Sequence, residues 1–299
     1  MEESPKLRLD QRISLAFLQL LARLPLRWFH RVGSLVGWLM YWGSPTYAKR
    51  LSVNIQKSGT WEDELRFRVL RNESVQEMGK MALESVKIWF APHSQICRVP
   101  VECRGWTVVE EACGHGRGII FLLPHLGSIQ FAMKYVAGRF PLTALYRPPR
   151  RRWFQPFLMA GSGRARLSLA ATNVKGVGKL SRALRRGEAI ALFPDQAPNS
   201  QGGVWADFFG RPAYTTTLPK KLQRATGAAV IGAFAERLPD GRGYRVEFQS
   251  VPTENFDEAV MNHVVECLVR RCPGQYLWSY NRYKIPRKVV TTAPKINNS

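Results

Sequence analysis

His125 follows the apolar run GIIFLL at 118–123 and Pro124, and Gln130 stands five residues further on. An imidazole can take a proton near neutral pH. A general base usually has a carboxylate behind it that fixes the tautomer and stabilises the imidazolium. Here an amide stands at that distance. The Gln130 amide oxygen could accept from Nδ1–H of His125, but it carries no charge, and its NH2 could hold the wrong tautomer instead. A lone histidine after a strand can equally be a packing or capping residue. Three further stretches hold groups of suitable chemistry: LYRPPR with Arg147, LFPDQ with Asp195, and QYLWSYNRYK with Asn281 and Arg282.

These groups need a scaffold. Helical periodicity runs over 61–90, and after it the pattern alternates. GIIFLL, LTALY (142–146) and AIALF (189–193) read as buried strands, with 228–235 and 244–248 as two more. Helices are expected at 129–136, 153–159, 175–186, 216–225 and 257–270. Strands alternating with helices predict an α/β fold with a mixed, mostly parallel sheet flanked by helices. In such sheets sites form beyond the carboxyl ends of strands. His125, Arg147 and Asp195 each follow a strand by one to three residues, so they could converge on one edge. Asp195 could also simply cap its loop. Trp205, Phe208 and Phe209 fit a core better than an acyl groove.

Lys and Arg total 44 against 22 Asp and Glu, a formal net charge of +22 over 299 residues. Such a surface suits nucleic acid, anionic head groups or an acidic carrier protein. No acid occurs between Glu111 and Glu188, a run that contains His125 and Gln130 together with 14 basic residues. No nucleic-acid motif accompanies the charge, which argues against nucleic acid as the partner. The five cysteines form no C-x-x-C pair, and the histidines show no ligand spacing with them, so neither a disulfide framework nor a metal site is expected.

Residues 13–42 are apolar but interrupted by Arg23, Arg27, His30 and Arg31. Each part is short for a clean span of about 20 residues. Tryptophans mixed with arginines suit an interfacial helical pair, so 1–60 is read as an N-terminal membrane-associated segment. The main domain is expected over 61–286, with a basic tail at 287–299.

The order and spacing of LPHLGSIQ, LYRPPR, FPDQ with GVWADFFG, and QYLWSYNRYK resemble the late acyltransferases of lipid A biosynthesis. This is the lauroyl/myristoyl transferase family, within the wider glycerolipid and lysophospholipid acyltransferases that carry an H-x4-D/E motif. The similarity runs from about residue 13 to about 286. It implies a membrane-associated acyltransferase on the cytoplasmic face of the bacterial inner membrane, with no bound cofactor. The donor would be a thioester of acyl carrier protein or coenzyme A. The acceptor would be a hydroxyl on an anionic glycolipid, the lipid A precursor. By resemblance His125 is the general base and no covalent enzyme intermediate forms. Arg164, in GRAR, matches a family arginine. It and Arg147 could bind phosphate or an oxyanion, or form a solvated basic face. Asp195, Asn281 and Arg282 are further candidates for the substrate site. Gln130 departs from the family pattern. The chain could work with the amide, another acid such as Asp195 or Glu236 could take over, or the change could have been introduced deliberately. A catalytically silent lipid-binding protein, or an acceptor that is another amino-lipid or glycolipid, are the competing readings.

Overall fold

The computed structural model describes residues 8–147, 166–198 and 202–286. The helix expected at 153–159, Arg164 and the tail at 287–299 lie outside the described residues. Four helices lead: α1 (Leu9–Leu21), α2 (Leu26–Gly43), α3 (Pro45–Gln56) and α4 (Glu64–Phe90). Short α5 (His93–Cys97) is followed by β1 (Val101–Arg104) and α6 (Trp106–Gly114). Then come β2 (Ile119–Leu122), α7 (Ile129–Ala137), β3 (Leu142–Tyr146), β4 (Leu167–Ala171), α8 (Val174–Arg185) and β5 (Ala189–Leu192). The hairpin of β6 (Gly203–Phe208) and β7 (Arg211–Thr216) precedes α9 (Leu218–Thr226), β8 (Ala229–Arg237), β9 (Tyr244–Val251) and α10 (Glu258–Arg271).

One seven-stranded sheet has the order β1-β9-β8-β2-β5-β3-β4. Only the β8–β9 pair in it is antiparallel. The sheet is mixed and mostly parallel, as the alternation of runs and helical stretches implies. Period-two alternation sends the GIIFLL run to both faces. Ile120 and Leu122 join the core that holds Leu180 and Leu184 of α8 and Leu268 of α10. Ile119 and Phe121 join the opposite core, with Phe131 and Val136 of α7 and Ile88 of α4. Each such aliphatic or aromatic side chain contributes about 1.5–3 kcal/mol when withdrawn from water. The central strands are therefore a rigid base for whatever follows their ends.

The N-terminal helices share these cores. Ala22 and Leu26 join the core that holds Ile119 and Phe121, and Leu51 and Ile55 of α3 join the other. Helix α2 lies unusually close to α4. A Cβ on Gly79 would overlap the Gly33 carbonyl, and one on Gly37 would overlap the Val75 carbonyl. The opposite face of α2 leaves Trp28, Val32, Leu35, Leu39 and Trp42 exposed, and α1 exposes Leu9, Ile13, Phe17 and Leu20. Among the described residues, no helix is long and apolar enough to cross a membrane.

Candidate active site

β2 and β5 are parallel neighbours, with Leu122 opposite Leu192. His125 lies three residues past Leu122, and Asp195 three residues past Leu192. Equal offsets from paired positions deliver the two side chains to the same place. Asp195 Oδ1 lies 2.9 Å from His125 Nδ1, and its Oδ2 accepts the His125 backbone N–H at 2.7 Å. One carboxylate thus fixes both the ring and its peptide. The Asp195 side chain is 2% exposed and that of His125 is 20% exposed. The carboxylate is sealed while the imidazole keeps an edge open. Burial works to raise the Asp195 carboxyl, but the charge and hydrogen bonds of His125, with Arg282 nearby, hold it below the usual carboxylate range. An ionised Asp195 can only accept, so Nδ1 of His125 carries a proton, and in the neutral ring Nε2 holds the lone pair.

The His125 loop is bolted to the sheet and to the C-terminal segment. Its carbonyl accepts from Leu277 N–H at 2.9 Å, and Gly127 N–H donates to the Gln275 carbonyl at 3.0 Å. Gly127 has φ of +60°, and a Cβ there would run into the Ala235 carbonyl. No other residue fits that crossing. Behind the loop, Arg237 Nη2 donates to the Gly127 carbonyl at 2.7 Å. The Arg237 guanidinium is itself held by Glu84 at 2.9 Å and Glu77 at 3.0 Å, both from α4. A histidine with one ring nitrogen tied to a buried acid, on an immobile loop at a sheet edge, can act as a proton acceptor in hydroxyl attack.

A family model described as bacterial lipid A biosynthesis acyltransferase matches residues 2–285. The chain belongs to this family. It is 30% identical over 219 residues to the lipid A biosynthesis palmitoleoyltransferase of Escherichia coli (strain K12), covering 71% of this chain and 70% of that protein. It is 28% identical over 287 residues to the lipid A biosynthesis lauroyltransferase of the same organism, covering 91% and 90%. A myristoyltransferase of that organism matches at 26% over 189 residues. The motif resemblance and the α/β architecture therefore lead to one acyltransferase family.

In this member of the family the expected site residues are not all gathered. Gln130 opens α7, where its Oε1 is buried without a hydrogen-bond partner among the described residues. Nδ1 of His125 is taken by Asp195 and Nε2 faces Gln196, so the expected amide–imidazole pairing of Gln130 is not formed. Glu236 pairs with Arg245 at 2.7 Å instead of with His125. Asp195, expected among substrate-binding groups, is buried against His125. Arg282, expected at the same surface, is 3% exposed. Its guanidinium donates to the Tyr214 carbonyl at 2.8 Å and Thr215 Oγ1 at 2.7 Å, and its charge reaches the site through Asp195. Burial lowers its pKa. Arg147 stands one residue past β3 at the same sheet edge and is exposed. Asn281 is exposed, and its carbonyl accepts from Lys284.

Two residues of the site carry no signal of their own in the sequence. Gln196 places its amide nitrogen 3.0 Å from His125 Nε2. Tyr276 is buried beside Asp195, and burial, then the charge of Asp195, pushes its hydroxyl well above the usual tyrosine range. It stays protonated beside the carboxylate. Both sit inside motifs that had been singled out, FPDQ and QYLW, but only the fold shows which members turn inward. Among the described residues, no cluster of His, Cys, Asp or Glu could hold a metal.

Proposed function

We propose that this acyltransferase moves a fatty acyl chain from an acyl carrier protein or coenzyme A thioester to a hydroxyl of a lipid A precursor, with His125 as general base. The observation that carries the reading is the His125–Asp195 pair, 2.9 Å apart beyond two adjacent parallel strands. Family membership supports the reaction class. In the step itself, the acceptor O–H bond breaks and its proton passes to Nε2 of His125 as the oxygen bonds the thioester carbonyl carbon. The tetrahedral oxyanion then collapses, the C–S bond breaks, and the thiolate takes the proton back from Nε2. Asp195 holds the productive tautomer and stabilises the imidazolium, the task the family gives to the position occupied here by Gln130. Arg147, exposed at the same edge, has the fork geometry and charge to hold a phosphate of the anionic acceptor.

Attachment to the cytoplasmic face of the inner membrane is part of the same proposal. The exposed apolar stripes of α1 and α2, flanked by Arg12, Arg23, Arg27 and Arg31, have the composition of interfacial helices. Helix α1 has 13 residues, about 20 Å at 1.5 Å per residue, well short of a bilayer core of about 30 Å. The net charge of +22 suits an acidic carrier protein and anionic lipid alike.

Mass spectrometry of lipid A from cells with and without the gene tests the function. One added acyl chain that depends on the wild-type gene and vanishes with His125→Ala is expected. An unchanged lipid A profile, with acylation of another amino-lipid or glycolipid, would move the acceptor assignment while keeping the chemistry.

A further inference from the structure

The acyl-transfer reading leaves Gln196 without a task, although it touches the atom that has to react. Its amide nitrogen lies 3.0 Å from His125 Nε2, the nitrogen opposite the one Asp195 holds. With the proton on Nδ1, Nε2 is a lone pair, and the Gln196 N–H donates into it. The lone pair meant for the acceptor hydroxyl is therefore occupied by the protein itself.

The root of this side chain is fixed. Asp195 on one side is 3% exposed, and Ala197 on the other is 6% exposed, with its N–H donating to the Tyr280 hydroxyl at 3.1 Å. Gln196 itself is only half-buried. Its carboxamide can swing while its backbone stays put. A hydroxyl that donates to Nε2 has to take the place of that amide. The carbonyl carbon it attacks then lies one bond from the same oxygen, within the sweep of the displaced N–H.

We propose that Gln196 is a further catalytic residue of the transfer. It caps Nε2 until the acceptor arrives, then gives its N–H to the thioester carbonyl oxygen as charge develops there. The inference rests on the reading of His125 as base. The proton still passes from the acceptor hydroxyl to Nε2 and on to the leaving thiolate, and Gln196 exchanges no proton. A donor held at a forming oxyanion is worth a factor of about 10²–10³ in kcat, the upper bound for a side chain that has to swing into place.

Steady-state kinetics on the full-length protein test it, with an acyl thioester donor and acceptor lipid in mixed micelles. Wild type, Gln196→Ala, Gln196→Glu and His125→Ala are compared, with thermal unfolding as the check on folding. Gln196→Ala is expected to lower kcat about 10²–10³-fold while the KM for acceptor holds or falls, because no amide has to be displaced. Gln196→Glu, which places a carboxylate at Nε2, is expected to move the acid limb of the kcat–pH profile upward by about one unit or more. If Gln196→Ala keeps kcat within about threefold of wild type while His125→Ala has lost transfer, the Gln196 role is overturned and the base stands. A loss in both Gln196 variants that follows lowered thermal stability, with the pH profile unmoved, overturns it too. If His125→Ala transfers as fast as wild type, the base reading fails and takes this inference with it.

Discussion

Among the described residues, two histidine–carboxylate pairs occur, and they have different fates. His125 Nδ1 and Asp195 lie 2.9 Å apart, with the histidine side chain 20% exposed. His30 Nε2 and Glu84 lie 3.2 Å apart, with side chains 6% and 0% exposed. Asp195 gives both oxygens to His125. Glu84 divides its oxygens among His30, Arg237 at 2.9 Å and the Tyr244 hydroxyl at 2.9 Å. The first carboxylate holds the ring and peptide of one histidine, whose ring keeps an accessible edge, with the Tyr276 hydroxyl beside it. The second is a junction that ties α2, α4, β8 and β9 together behind the His125 loop. The same two functional groups leave a ring edge open in one place, where we propose a base, and make a clamp in the other. What decides is whether the second nitrogen can meet a substrate and whether a buried cation is hydrogen-bonded directly to the carboxylate, as Arg237 is to Glu84.

The contrast can be tested from its largest expected effect downward. His125→Ala is expected to reduce acyl transfer at least about 10³-fold while leaving the urea midpoint nearly unchanged. His30→Ala should do the reverse, with activity retained and stability lowered by about 1–3 kcal/mol. If both lose activity in proportion to stability, the two pairs are not functionally distinct. Asp195→Asn keeps the shape of the site but removes the charge, and a loss of about 10²–10⁴ in kcat is expected. Activity within a few-fold of wild type would take Asp195 out of the role given to it.

Removing Glu84 strands the buried Arg237 guanidinium. Glu84→Ala is expected to cost about 3–5 kcal/mol in denaturant unfolding. Because Arg237 also holds the Gly127 carbonyl, kcat measured well below the melting temperature should fall as well, though less than in His125→Ala. An Arg237→Ala, Glu84→Ala double variant no worse than the singles would show that they act as one unit.

The pH dependence of stability follows from the same carboxylates. In each, burial acts to raise the pKa and is outweighed, by His125 at Asp195 and by Arg237 at Glu84, so both are held below the ordinary range. A depressed folded-state pKa contributes stability above the unfolded value, about 4, and loses it as pH falls through the folded value. Stability is therefore expected to fall on acidification below about pH 4, and Asp195→Asn to flatten that slope. A slope unchanged in this variant would mean that the Asp195 carboxyl is not depressed.

The smallest effect concerns Gln130. With His125 already paired to Asp195, Gln130→Glu is expected to change kcat by less than about threefold. A rise of tenfold or more would show that the motif position lacks an acid the chemistry wants, and that Asp195 does not replace it.

Much of this could be read from local pattern. The runs GIIFLL, LTALY and AIALF alternate onto two cores and became β2, β3 and β5 nearly to the residue. Helix α4 filled its expected range because apolar residues recur along 61–90 and Asp63 caps the start, accepting Arg66 N–H at 2.8 Å. β1 carried no such signal, since all four of its residues are exposed at the sheet edge. The β6–β7 hairpin was hidden because its residues were read as core or groove aromatics, with no alternation on one face.

By itself, the sequence determined the α/β class and the family, and it singled out His125 as the candidate base, because periodicity and short motifs are local properties. It left the acid open, since H-x4-Q offers a partner five residues away and chain distance is all that a motif measures. Tertiary structure chose Asp195, 70 residues later, through parallel pairing of Leu122 with Leu192 and equal offsets beyond it. It also turned Arg282 inward, left Asn281 outside, and set Gln196 against Nε2. Those are facts of strand register and burial, which arise only when distant segments pack.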